Sequence, residues 1–268
     1  MTAGPSLTVT NLSAGYRGRM VLRELSIGPL ASGRVVALVG PNAAGKSTLM
    51  LTMAGLLHGD GRVLLGDVEL LTLPIAERAR LAGFMPQSIP QGVALTVLEA
   101  LIAAQKAAIP IKGLLNDDDS LARAAGVLDR LGIADIALEQ LDRLSGGQRQ
   151  LASLGQALIR DPKLLLLDEP TSALDLRHQT AVMKLIRSLA AEGRIVIVVL
   201  HDLSLAARWA DDVIVMSEGR IAASGPPEQA LTAATLSDVY GVQARVERCS
   251  RGMLQIMVDD TGQPGRAM

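Results

Sequence analysis

Apolar positions fall into two textures along the chain. Residues 7–16 (LTVTNLSAGY) and 20–30 (MVLRELSIGPL) are short, turn-bounded segments that predict an antiparallel pair. The run 33–39 is compact and apolar. A glycine-bearing loop follows it, and then a helical stretch over 46–57. Residues 61–70 (GRVLLGDVEL) read as a hairpin turning at Gly66-Asp67.

From about 88 to 143 the spacing becomes helical. Residues 96–108 form one amphipathic segment, and Leu121, Ala125, Leu128 and Leu131 mark the face of a second. Between them Asn116 to Ser120, with three aspartates, is expected to be a solvated loop capping the next helix. Strand and helix patterns then alternate. A helix over 147–160 is stopped by Asp161-Pro162, and 164–167 is a continuous aliphatic strand. A helix over 181–191 and a buried strand over 195–200 follow. A hairpin turning at Glu218-Gly219 comes next, then two tail strands over 243–258 that turn near Ser250-Arg251-Gly252. Buried strands alternating with helices define a largely parallel α/β core. The expectation is one domain spanning 1–268. Residues 1–87 and 144–268 form its core with antiparallel β portions, and 88–143 form an inserted helical subdomain.

Composition narrows the class. The 268 residues are 49% hydrophobic, yet Phe84, Trp209, Tyr16 and Tyr240 are the whole aromatic complement, so the apolar mass is aliphatic. With 26 basic and 27 acidic side chains the net charge is −1, without the basic footprint of a nucleic-acid binder. Cys249 is the single cysteine, which excludes an internal disulfide and a CxxC metal site and fits a reducing compartment. The N-terminus lacks the pattern of a signal peptide. The longest aliphatic run, 195–200, falls far short of the roughly 20 residues of a spanning helix. The expectation is a soluble protein in the cytoplasm, with any membrane step carried by another chain.

Three stretches carry chemistry. GPNAAGKST (40–48) satisfies G-x-x-x-x-G-K-[ST] through Gly40, Gly45, Lys46 and Ser47, in strand–loop–helix context. Glycines let backbone N–H groups wrap phosphate oxygens; Lys46 would reach the β- and γ-phosphates, and Ser47 would ligate magnesium. LLLLDEP (164–170) delivers Asp168 to the carboxyl edge of a strand, where it suits the magnesium shell. Glu169 beside it can polarise an attacking water as general base. LSGGQRQ (144–150) places Ser145, Gly146 and Gly147 ahead of a helix, so that a hydroxyl and backbone amides point at one place.

In this order and spacing the chain resembles the ABC ATPase family over nearly its whole length. GPNAAGKST is similar to its Walker A loop (Gly40, Pro41, Asn42, Ala43, Ala44, Gly45, Lys46, Ser47, Thr48), LSGGQRQ to its signature (Ser145, Gly146, Gly147, Gln148), and LLLLDEP to its Walker B strand. Gln87 in FMPQ resembles the Q-loop glutamine, Ser172-Ala-Leu-Asp175 the D-loop, and His201 in VLHD the switch histidine. Tyr16 falls where the family keeps an aromatic that stacks on adenine. Phe84, Trp209 and Tyr240 are read as packing residues. Ala43 departs from the family's usual glycine; if that position needs positive φ, alanine costs about 1 kcal/mol or more.

The resemblance implies an ATP- and Mg2+-dependent ATPase with a P-loop NTPase core. Gln87 would lie near the magnesium and the attacking water, and His201 would bridge Glu169 and the γ-phosphate. Partners follow from the same resemblance. Two copies, or this chain and a like ATPase, would sandwich two ATP, each signature facing the other's nucleotide. The pair would drive integral membrane permease subunits, with a substrate-binding protein in the full system and no nucleic acid. Details such as LDLRHQ and LSDVYGVQARV are similar to importers of iron–siderophore, haem and vitamin B12; importers of other metals or small solutes and efflux systems are the alternatives. A soluble ABC ATPase without a transport role would carry paired nucleotide domains or long coiled coils. A small-molecule kinase would leave LSGGQRQ and His201 unexplained.

Overall fold

A computed structural model describes residues 4–87, 94–107, 117–172 and 174–261. Among the described residues the strand-forming segments of the sequence form three sheets. The first is antiparallel, in the order β2-β1-β4-β5: β1 (Ser6–Tyr16), β2 (Arg19–Ala31), β4 (Gly59–Leu65) and β5 (Val68–Glu69). Both expected hairpins are here, one turning through Gly18 (φ 75°) and the other through Gly66 (φ 59°).

The second sheet is the centre of the molecule, in the order β10-β9-β3-β8-β7-β6. Its strands are β3 (Val35–Val39), β6 (Ala82–Met85), β7 (Leu164–Asp168), β8 (Ile195–Val199), β9 (Asp212–Ser217) and the antiparallel edge β10 (Arg220–Gly225); the first five run parallel. Alternation sends Val35, Ala37 and Val39 to one face and Val36 and Leu38 to the other, and β7 and β8 divide likewise. Both faces are therefore dry, which is why these strands read as unbroken aliphatic runs. A fully buried side chain of this size contributes about 1.5–3 kcal/mol.

One face is covered by α1 (Lys46–Ala54) and the antiparallel sheet. The other carries α3 (Val97–Lys106), α4 (Asp117–Leu131), α5 (Gly146–Leu158) and α6 (Leu176–Ala191), whose apolar residues join one cluster. A Cβ at Gly155 would meet Leu131 and Leu101 at 3.1–3.4 Å, so this glycine lets α5 approach α4 and α3 closely. The short helices α2 (Ile75–Leu81), α7 (Leu203–Trp209), α8 (Pro227–Ala230) and α9 (Ala233–Tyr240) carry no long apolar stripe, and pattern reading passes over them, as it does over β6. The tail strands β11 (Val242–Arg248) and β12 (Leu254–Thr261) form a separate hairpin packed on α9 and α7.

Three expectations need correction. The aspartate run is helix, not loop: α4 begins at Asp117, with Asp118 and Asp119 exposed in its first turn, where the helix dipole favours acidic side chains. Asn116 lies outside the described residues. The buried face of α4 is Ser120, Ala124, Leu128 and Leu131, so Leu121 and Ala125 face outward, one position off the expected stripe. Helix α6 begins five residues before 181. Asp175 caps it through the His178 N–H (2.8 Å), and its polar first turn shows no apolar periodicity. Among the described residues no helix is long and apolar enough to cross a membrane.

Candidate active site

Strand order sets the site. Four loops leave the carboxyl ends of β3, β8, β7 and β6, which are neighbours in that sequence across the sheet. They carry, in the same spatial order, the 40–48 loop, His201, Asp168-Glu169 and Gln87. Ligands of open parallel sheets bind along such an edge.

The 40–48 loop is built from backbone. Gly40 (φ 148°) lies so close to β9 that a Cβ there would sit 2.2 Å from the Met216 carbonyl oxygen. Gly45 (φ 103°) opens α1. Ala43 does adopt a left-handed φ of 63°. The β9–β10 turn braces the loop, Gly219 N–H donating to the Ala44 carbonyl at 3.0 Å. Lys46 is buried and donates through Nζ to the carbonyls of Gly40 (2.7 Å) and Pro41 (2.9 Å). Burial pushes its pKa down, and the charges of Glu169 and Asp168 oppose that.

Opposite it lies a side-chain cluster. Glu169 accepts from Gln87 Nε2 at 2.9 Å and meets His201 Nε2 at 2.5 Å. Glu169 itself has φ 53°, a left-handed conformation unfavourable for a side-chain-bearing residue. Asp168 is 5% exposed and its Oδ1 has no hydrogen-bond partner. Burial raises its pKa above the usual carboxylate range; hydrogen bonding to Ser47 opposes the rise, Glu169 adds to it, and Lys46 and His201 draw it down. A buried, unpartnered carboxylate oxygen beside a serine hydroxyl fits a hard divalent cation whose remaining ligands are phosphates and water. No cluster of three or more His, Cys, Asp or Glu suited to a metal occurs among the described residues.

Tyr16, Asn42 to Thr48, Gln87, Glu169 and His201 line one open cavity of about 600 Å³. Gly40 and Pro41 stand behind it as acceptors of Lys46. The structure does not bring Ser145, Gly146, Gly147 and Gln148 there. Ser145 caps α5 by a reciprocal box with Gln148 (3.3 and 3.0 Å), and Ser145, Gly146, Gly147, Gln148 and Asp175 line a second cavity of about 800 Å³.

Two residues at the first cavity, and one behind its phosphate loop, escape motif reading. Arg19 and Val21 line it from β2. Tyr240, expected only to pack, brings its phenol to the backbone of Gly40. Burial pushes that phenol up to about 12, partly offset by the Gly40 backbone. Nothing local in the sequence marks these contacts, because each joins segments far apart in the chain.

A phosphate loop facing a carboxylate, glutamine and histidine across one cavity defines a P-loop nucleotide hydrolase. The relatives agree. A family profile described as ABC transporter matches residues 22–172. The hemin import ATP-binding protein HmuV of Thermobifida fusca is 37% identical over 245 residues, covering 90% of this chain and 84% of that one. Among solved structures, a chain of an ABC transporter of metal-chelate type in an inward-facing conformation superposes with TM-score 0.79 at 25% identity, covering 95% and 97%. A dimeric ATP-binding cassette in a post-hydrolysis state, bound to ADP and Pi, gives 0.72 at 26%, covering 82% and 98%. The chain belongs to the ABC transporter family, as an ATP-binding, ATP-hydrolysing subunit.

Proposed function

We propose that this chain powers uptake of an iron-chelate-type cargo, haem foremost, by ATP-driven closure of a dimer on membrane permease subunits. The observation that carries the dimer is the separation of the two cavities. Ser145 and the amides of Gly146 and Gly147 form an anion-seeking helix end, yet they line a different cavity from Lys46 of the same chain. A second copy, or a like ATPase, facing head to tail would bring each signature to the other's γ-phosphate, so that nucleotide links the subunits. The dimeric relative bound to ADP and Pi supports this arrangement, and the hemin-import relative supports the cargo. The chain would sit in the cytoplasm, held at the inner face of the membrane by its permease, with a substrate-binding protein delivering cargo.

In the reaction, the 40–48 amides and Lys46 would hold the β- and γ-phosphates and Tyr16 would stack on adenine. Ser47, Asp168 and Gln87 would hold Mg2+, which supplies charge neutralisation at the phosphates when bound. Glu169 would accept a proton from the attacking water, which Gln87 helps to place. His201 would orient Glu169 and reach the γ-phosphate, and loss of that phosphate would loosen the dimer. Helices α3 and α4, with the rest of the expected 88–143 subdomain, would pass the motion to the permease.

The test is Glu169→Gln. Phosphate release should fall at least about a hundredfold, while ATP binding persists and the chain elutes as a dimer with Mg-ATP. A variant that stays monomeric with nucleotide bound would overturn the dimer. Co-expression with a multispanning permease, and stimulation of ATPase activity by a haem-loaded binding protein over one loaded with cobalamin, tests the cargo.

A further inference from the structure

Helix α5 does more than present Ser145. One turn along it, Gln150 is 8% exposed on a face shared with Leu154 and Ala157. Its Nε2 donates to the Glu169 carbonyl at 3.3 Å and to Ser172 Oγ at 3.1 Å. Ser172 donates to the same carbonyl twice, from Oγ (3.2 Å) and from its backbone N–H (3.3 Å). From the other side, Gln179 Nε2 on α6 donates to the Thr171 carbonyl at 3.2 Å. The turn after β7, which carries Glu169 in its left-handed conformation, is thus clasped between two helices.

Gln150 is a poor choice for stability. Its Oε1 is buried with no partner, and a buried amide left half unsatisfied is less favourable than an apolar side chain of the same size. Packing alone does not call for an amide here, and its Nε2 bonds to the turn that carries Glu169.

We propose that Gln150 is a positioning residue for hydrolysis: it ties the helix whose tip would meet the partner's nucleotide to the backbone of this chain's own Glu169. The inference rests on the reading of Glu169 as general base and of Ser145 as a cross-subunit contact. Arrival of a phosphate at the α5 tip would then be felt, one helical turn away, at the peptide that aims the carboxylate. The two nucleotide sites of a dimer would be coupled through a single amide.

The experiment is Gln150→Met, which keeps the volume and removes the donor, in the full-length chain, with Gln150→Lys restoring a donor. Expected for Gln150→Met is a kcat lower by about tenfold, as for a slight misplacement of a reacting group, with KM for ATP within about twofold and a melting temperature equal to or above that of the parent. Gln150→Lys should recover most of the lost rate. A kcat at the parent's level in Gln150→Met overturns the proposal. So does a rate loss that accompanies a lower melting temperature and is not rescued by Gln150→Lys, since a packing role alone would behave that way. Glu169→Gln measured alongside separates the two readings: if it hydrolyses ATP normally the general-base assignment fails, whereas an inactive Glu169→Gln with an unaffected Gln150→Met sinks only the clasp.

Discussion

The phosphate loop and the carboxylate turn are two answers to the same geometrical problem. Each leaves the carboxyl end of a fully buried strand, and each contains a non-glycine residue in left-handed conformation, Ala43 at φ 63° and Glu169 at φ 53°. In the loop the groups proposed to meet phosphate are backbone amides together with the Lys46 ammonium, and the methyl at 43 is exposed. In the turn the proposed chemistry lies in the Glu169 side chain, held by Gln87 and His201, with its carbonyl clasped by Gln150 and Ser172. Strain at 43 is incidental and can be relieved. Strain at 169 would, on the proposed role of Glu169, serve to aim a carboxylate, and the surrounding contacts hold it in place.

The largest effect should follow from filling the space that the loop needs. Gly40→Ala places a Cβ 2.2 Å from the backbone oxygen of Met216, an atom of a central strand that cannot swing away, at a φ of 148°. We expect destabilisation of about 3 kcal/mol or more and loss of measurable nucleotide binding, read by thermal melting and by titration with a fluorescent ADP analogue. A Gly40→Ala chain that binds nucleotide like the parent would break the claim that the loop works through tight backbone packing.

The two regions also differ in how far they can be read from sequence. The phosphate loop is local: its residues are contiguous, its strand–loop–helix context is written beside it, and its glycines are needed for reasons visible one residue at a time. Asp168 and Glu169 share that advantage. Their supports do not. Gln150 sits 19 residues before Glu169 and meets it only because α5 packs beside β7, and the only local hint is a polar residue on an apolar helix face. Gln87 is found by resemblance alone, because β6 before it is only four residues long and offers little pattern to read. The aspartates of α4 do not declare themselves, because acidic runs suit both loops and first helical turns, and the burial of Ala124 and Leu128 in the helix is not visible at the aspartates.

Behind the loop, Tyr240 offers a smaller test. Its phenol, pushed up to about 12 by burial, stays protonated in the folded chain when the unfolded chain, near the ordinary value of about 10, has already lost its proton. The folded state then binds more protons than the unfolded one, so its stability falls as pH rises through that window. Allowing for partial exposure, the loss attributable to Tyr240 is on the order of 1 kcal/mol between pH 10 and 12. Tyr240→Phe should flatten the alkaline decline relative to the parent while leaving melting near pH 8 almost unchanged. Parallel curves for the two chains would mean that the phenol behind Gly40 is not held away from water.

The smallest effect is the sharpest on the comparison itself. Ala43→Gly removes a left-handed penalty of about 1–2 kcal/mol, offset by about 0.4–1 kcal/mol of added freedom in the unfolded chain. The net gain should be about 0.5 kcal/mol, a rise of about 1–2 °C in melting temperature, with kcat and KM for ATP unchanged because no side-chain atom at 43 takes part. Glu169→Gly relieves the same kind of strain and should abolish turnover, whatever it does to melting. If Ala43→Gly instead alters kcat, the side chain at 43 shapes the phosphate cradle after all, and the division between a backbone-built loop and a side-chain-built turn does not hold.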